Sequence, residues 1–166
     1  TVSVVGTSTS AINGALTNNA AGTLSLQSSS GFAGTTLTVA DGSTFTQGGL
    51  VNLVNEPGNG RPAVLDVTTG TLTNAVGATL RSSGPAGTAN IVNAPVTNLG
   101  TIDMQRSMTI TNTGRTFLSD AGTLNFATGG VLTANGGTTT LGAGTVFTGT
   151  GGTLSLINTP VLSSMG

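Results

Sequence analysis

The sequence predicts an all-β protein, and within that class a right-handed parallel β-solenoid (β-helix). Three observations favour this fold: short apolar–polar alternations recur along the chain, Gly and Asn separate them, and a strand–corner–strand unit appears in several degenerate copies. Helices are disfavoured because Gly, Thr, Asn and Ser are poor helix formers. We expect a single domain over residues 1–166, since ~100 to 200 residues per domain is usual.

The clearest strand predictions share the order polar, aliphatic, polar, apolar. They are residues 23–26, 36–39, 101–104, 123–126 and 153–156. Alternation with a period of two places the second and fourth residues of each segment on one buried face. The predicted core therefore consists of Leu24, Leu26, Leu37, Val39, Ile102, Met104, Leu124, Phe126, Leu154 and Leu156.

Two short patterns mark the predicted corners. Gly followed by Thr and an aliphatic residue begins at positions 22, 100, 122 and 152. An aliphatic-Thr-Asn triplet occupies residues 16–18, 72–74, 96–98 and 110–112. Asn tolerates left-handed backbone angles and bonds its own backbone, as a corner requires.

The two patterns combine into a unit of strand, Asn corner, Gly and strand. Its degenerate copies are residues 16–26, 72–80 and 96–104. Successive elements lie roughly 14 to 30 residues apart, which overlaps the coil lengths of solenoids. At ~4.8 Å per coil, about six to eight coils would form a rod some 30 to 40 Å long.

An antiparallel β-sandwich is the structural alternative, because short strands with frequent turns are also its signature. Sandwiches usually need bulky aromatic side chains to fill the ~10 Å between their sheets. This chain has no Trp or Tyr, and its five Phe residues are at positions 32, 45, 117, 126 and 147. Small and aliphatic residues fill a narrow coil more readily, so the solenoid is favoured.

Two segments break the strand pattern, residues 55–62 and 82–87, and both contain Pro and Gly. Pro removes a backbone donor from a sheet, so we expect both segments to protrude as loops. The charged side chains Glu56, Arg61 and Arg81 lie in or beside them. They are candidate recognition residues, since protruding loops often bind partners; the alternative is that these loops are simply solvated.

The Leu-Thr-Asn and Gly-Thr-Leu/Ile sequences of residues 16–24 and 96–102, in a Cys-free and Thr/Gly/Asn-rich background, are similar to a known family. They resemble the right-handed parallel β-helix of bacterial large exoproteins, including filamentous-haemagglutinin-like proteins and autotransporter passenger domains. The resemblance implies a secreted, surface-exposed stalk or adhesive module and transfers no functional residues. Because the chain starts at Thr1 without an initiator Met or signal sequence, we expect a processed or excised piece.

Composition excludes most catalytic chemistry. Without His, Cys or Lys, the chain cannot build a Ser-His-Asp triad, a thiol protease, a Schiff base or a phosphate-binding Lys loop. Carboxylate chemistry remains, and its candidates are Asp41, Glu56, Asp66, Asp103 and Asp120. Stacked coils could bring Asp103 near Asp120, but we expect turn-capping and solubility roles, no enzyme and no cofactor.

Metals, nucleic acids and membranes are also disfavoured as partners. Asp41-Gly42 occurs once, whereas the calcium-binding β-roll needs a regular Asp series. The four Arg residues are scattered, which gives a phosphate backbone no basic stripe. No apolar run approaches the ~20 residues of a membrane-spanning helix, so we expect no membrane insertion.

Three non-enzymatic functions remain, and the first is a structural or adhesive element outside a bacterial cell, with a self partner or a host or neighbour-cell surface protein. The second is a filament subunit joined by strand addition at its ends, for which the candidate residues are Thr1, Val2, Val4, Val5, Val161 and Leu162. The third is ice binding by a Thr face. Thr-x-Thr occurs at residues 7–9, 36–38, 44–46, 71–73, 109–113, 138–140 and 148–150.

Overall fold

The computed structural model describes residues 1–6, 9–28, 34–40, 45–56, 61–85 and 87–163. Within these ranges the chain forms twenty-one strands and no helix. No helix of the described residues therefore has the length and apolarity needed to cross a membrane. Earlier predictions on Thr7, Phe32, Asp41, Thr44, residues 57–60 and Ala86 lie outside the described residues.

The strands are short, between three and six residues each. In chain order they are β1 (Val2–Gly6), β2 (Thr9–Asn13), β3 (Leu16–Asn18), β4 (Thr23–Ser28), β5 (Thr35–Ala40), β6 (Phe45–Gln47), β7 (Leu50–Val54), β8 (Ala63–Val67), β9 (Leu72–Asn74), β10 (Thr79–Ser83), β11 (Asn90–Asn93), β12 (Val96–Asn98), β13 (Thr101–Met104), β14 (Met108–Thr111), β15 (Thr116–Ser119), β16 (Thr123–Phe126), β17 (Gly130–Asn135), β18 (Thr138–Leu141), β19 (Val146–Gly149), β20 (Gly152–Ile157) and β21 (Val161–Ser163).

The chain visits three seven-stranded sheets in rotation. The first sheet contains β1 and every third strand after it, the second begins at β2 and the third at β3. Three successive strands, one from each sheet, make one rung of the solenoid. Seven rungs stacked at ~4.8 Å place the first and last rungs roughly 30 Å apart.

All strand pairs among the described residues are parallel, and each pair joins equivalent positions in neighbouring rungs. In the first sheet, for example, Thr79 pairs with Thr101 and Thr101 with Thr123. The all-β parallel β-solenoid is therefore confirmed. The antiparallel sandwich is wrong, because no described strand pairs with an antiparallel neighbour.

The core follows the inward-facing residues of all three sheets. Eight of the ten predicted core residues are buried, and Leu154 is partly buried against the same cluster. Leu156 is 38% exposed, so its assignment to the core is wrong. The reason is its place in the last rung, where no described rung covers it. Phe45 and Phe117 supply the largest fully buried side chains.

A polar ladder runs along the corner between the third and first sheets. Asn18, Gln47, Asn74, Asn98 and Ser119 occupy equivalent positions at the ends of their strands. Asn74 Nδ2 donates to Asn98 Oδ1 at 2.8 Å, and Asn98 Nδ2 donates to Ser119 Oγ at 3.3 Å. Asn18 Nδ2 likewise donates to Gln47 Oε1 at 2.9 Å. These bonds satisfy buried polar groups at neighbouring rungs, although Asn74 Oδ1 is buried without a hydrogen-bond partner among the described residues.

The Asn residues were predicted to mark corners through left-handed backbone angles, and that reason is wrong. Among the described non-Gly residues, only Asn158 has a positive φ angle, and it does not belong to any of the four Asn triplets. At Asn98 the side chain instead turns inward and bonds its neighbouring rungs.

The Gly of the corner pattern is required by crowding. A Cβ at Gly22 would overlap Asn18 Oδ1, and one at Gly122 would overlap Asn98 Nδ2. Most copies of the Asn and Gly patterns therefore describe one packed corner. The exceptions are Asn112, which follows β14, and Gly152, which begins β20, both in the second sheet. The copies at 16–26, 72–80 and 96–104 are equivalent, since each runs from the third sheet to the first.

Candidate functional site

The outer face of the first sheet carries a hydrogen-bonded polar row. Arg81, Asp103, Asn125 and Thr148 stand in register on four successive rungs. Arg81 Nε lies 2.8 Å from Asp103 Oδ2, and Asn125 Nδ2 donates to Asp103 Oδ1 at 2.9 Å. Thr148 Oγ1 donates to Asn125 Oδ1 at 2.9 Å. Both Asp103 oxygens therefore bind neighbouring side chains, an arrangement that joins rungs.

The acidic side chains proposed for carboxylate chemistry lie on different parts of the rod. Asp103 lies in the first sheet, Asp66 in the second, and Asp120 is exposed after β15 of the third. The next rung places Asn125 beside Asp103, so the suggested Asp103–Asp120 stack is wrong. Among the described residues, no group of three or more His, Cys, Asp or Glu side chains could hold a metal ion.

The candidate recognition residues of the predicted loops differ in their surroundings. Arg81 lies within β10 and binds Asp103, while Arg61 is exposed. Glu56 accepts a hydrogen bond from Gln27 Nε2. The second predicted loop begins with strand residues, since β10 continues to Ser83. Recognition by these side chains stays a prediction.

The Thr-x-Thr pairs are divided among the sheets. Residues 36–38 lie in β5 of the second sheet, 138–140 in β18 of the third, and Thr148 in the first. The longest outward row is on the third sheet, where four successive rungs present Thr17, Thr46, Thr73 and Thr97 before Leu118 interrupts them. The pairs of the sequence thus do not form one continuous Thr face.

The two ends of the rod expose apolar side chains. Val2 in β1 is 62% exposed and belongs to an inner row. Leu162 in β21 is 60% exposed, but it continues the outward row of Leu118 and is exposed for that reason. These predicted self-association residues lie at opposite ends, but on different sheets. Strand addition from end to end would therefore pair β1 with β19, and β21 with β3, of neighbouring copies.

Sequence reasoning missed Phe147, which belongs to the exposed end and is 45% exposed. It occupies the inner row of Leu124 in the next rung. Residues 145–147 are equivalent to residues 122–124, which form a corner and the start of a strand. Recognising this equivalence in the sequence would have identified Phe147. The equivalence was hidden because Thr and Val replace the expected Gly and Thr.

A cleft of about 310 Å³ opens at the same end of the rod. It is lined by Phe126, Phe147, Thr148, Gly149, Gly151, Gly152 and Leu154. The Phe126 and Phe147 rings are stacked, with centroids 6.5 Å apart. Gly149 follows Phe126 in the inner row, so the last rung has no side chain at the position that Phe126 fills one rung earlier.

Comparison of the chain with known protein families, with curated proteins and with solved structures found no match in any of the three. A functional proposal therefore depends on the fold, its faces and its ends.

Proposed function

We propose that the chain is a non-enzymatic structural β-solenoid, a rigid module of an extracellular or surface protein of a bacterium. The observation that supports this best is the repetition of one three-sheet cross-section over seven rungs. Backbone pairing between rungs runs along the rod, and the apolar core follows it from end to end. Each rung is held by its neighbours, which suits a rigid spacer.

Arginine side chains add further hydrogen bonds to this backbone pairing. Arg115 reaches the carbonyls of Val67 and Thr68, with Nη1 and Nη2 at 3.1 and 2.9 Å from the two oxygens. Arg106 Nε donates to the Gly84 carbonyl at 2.6 Å. Such contacts join segments far apart in sequence, and they support a structural role for these side chains.

The bacterial and extracellular parts of the proposal come from the resemblance of the corner sequences to large exoproteins. The arrangement of Arg residues is consistent with an exposed setting. Three Arg side chains, at 81, 106 and 115, hold contacts to other segments, and the fourth, Arg61, precedes Pro62. Trypsin cleaves poorly before Pro, and cleavage elsewhere requires local opening of the rod.

Antibody labelling and trypsin treatment of intact cells of the source bacterium test the proposal. We expect antibody against the chain to label intact cells, and the chain to stay uncleaved in trypsin that digests the boiled protein. A cytoplasmic protein of the same cells, unlabelled until lysis, is the control. Labelling only after lysis would contradict the location, and cleavage as fast as in the boiled sample would contradict the rigid module.

A further inference from the structure

The last rung presents a cross-section of the core. Phe147, Leu156 and Val161 are 45%, 38% and 43% exposed. Each continues an inner row whose preceding member is buried. One more rung would cover these side chains as every other rung covers its neighbour.

The first rung offers the matching surface. The inner row that ends at Phe147 begins at Val2, and the row that ends at Val161 begins at Leu16. Val2 is 62% exposed, and Leu16 is partly buried. If a second copy stacks in the same direction, its first rung continues every row with parallel strands, the pairing used throughout the molecule.

The cleft at Gly149 fits this register. The row Leu26, Leu53, Ser82, Met104, Phe126 and Gly149 begins at Val4. Gly149 has a φ of 114°, and a Cβ there would overlap the Phe126 carbonyl oxygen. The molecule therefore cannot fill the cleft with its own side chain at this position. Val4 of a second copy would occupy the next place in the row, directly over the cleft.

Charge does not oppose this contact. All nine charged side chains lie between Asp41 and Asp120, so residues 1–40 and 121–166 contribute no charged side chain to either end. Natural sheets usually protect exposed edges with charges, Pro or covering segments. The described end rungs show strand edges with apolar inner rows and no side-chain charge.

We propose that the C-terminal rung docks the N-terminal rung of a second copy of this chain, head to tail, with β19 beside β1 and Val4 over the Gly149 cleft. The interface is heterologous, so repetition gives an open filament of constant width. The proposal rests on the proposed structural function and names the partner of its ends.

Complementary charges in the purified chain of residues 1–166 test this docking. Phe147→Glu and Val2→Lys alter two residues that meet across the proposed junction. Each variant alone should associate at least about 100-fold more weakly than wild type, because one unpaired charge would be buried. Mixing the two variants should restore association, since one junction then pairs Glu with Lys and the other is wild type. Sedimentation velocity over a concentration series measures both effects.

Val76→Glu is the matched control, because Val76 is 81% exposed in the turn before β10, away from both ends. It should associate like wild type, and electron microscopy should show rods that lengthen without widening. Far-UV circular dichroism checks that each variant is folded. If Phe147→Glu or Val2→Lys unfolds, Leu156→Glu and Ser10→Lys replace that pair, because the inner row that ends at Leu156 begins at Ser10. Wild type that stays monomeric, end variants that associate normally, or a mixture without recovery would overturn the docking. Those outcomes would not affect the proposed function, which is tested separately by surface labelling and by trypsin resistance of the monomer.

Discussion

At the scale of single residues, the polar ladder joins neighbouring rungs at the corner. Asn98 is fully buried, and its amide links Asn74 on one side to Ser119 on the other. Burying an amide is unfavourable unless its hydrogen bonds are made. Removing Asn98 therefore takes one of the two hydrogen bonds from Asn74 Nδ2 and removes the donor that bonds Ser119 Oγ.

Asn98→Ala should lower the free energy of unfolding by ~2 to 3 kcal/mol, because it removes buried hydrogen bonds to both neighbouring rungs. Asn93→Ala is the control, since Asn93 is half-buried on the outer side of β11 and surface changes usually stay within about 0.5 kcal/mol. Urea unfolding of dilute protein measures both. Equal losses in the two variants would contradict the ladder's contribution.

The corner residues could be found from the sequence, but their physical role could not. The spacing of Leu-Thr-Asn and Gly-Thr-Leu identified where the chain turns. Whether Asn74 points outward or inward depends on the rungs above and below it, because its partner Asn98 is 24 residues away. The crowding that requires Gly122 comes from the same distant contact.

At the scale of the strand, one alternating pattern gives different burial in different rungs. Leu124 in β16 and Phe147 in β19 share an inner row, yet Leu124 is fully buried and Phe147 is 45% exposed. The alternation correctly predicted which side chains face inward. It could not show which strand lies at the end of the stack, and Leu156 was therefore misassigned to the core.

The two strands should respond differently to the same change. Leu124→Asp buries an unpaired charge in the middle of the core and should abolish the cooperative melting transition or lower its midpoint severely. Phe147→Asp places the charge where water reaches it and should cost only the partial contact with Phe126. Thermal melting followed by circular dichroism, in protein dilute enough to be monomeric, makes the comparison. Similar midpoints for the two variants would contradict the assigned order of the rungs.

At the scale of the whole molecule, the rung is the repeating unit, although the sequence spaces it unevenly. Hydrogen-bonded partners in adjacent rungs lie 22 residues apart between β10 and β13 and 29 apart between β3 and β6. Several insertions fall at corners, and the strand rows continue past them. Because of the uneven spacing, the sequence predicted only a range of about six to eight coils, and the seven rungs lie within it. The parallel stacking of the coils could be predicted directly.

This unit can be tested by removing one rung. Deletion of residues 101–122 joins Gly100 to Thr123, which is the register partner of Thr101. The strands that follow should then stack on β10, β11 and β12 with every inner row still facing inward. Deletion of residues 101–123 removes one residue more than the first deletion and joins Gly100 to Leu124. A shift of one residue turns the apolar side chains of a strand outward.

We expect the first deletion variant to remain soluble with a cooperative urea transition, at somewhat lower stability because neighbouring rungs contribute additively. The one-residue-longer deletion should lose that transition or aggregate, since the corner lacks the residue needed to restore register. Circular dichroism and urea unfolding distinguish the two proteins. If both deletion variants folded equally well, the corner would be able to compensate for a one-residue shift in register. The rung would then not be the unit that determines the stacking.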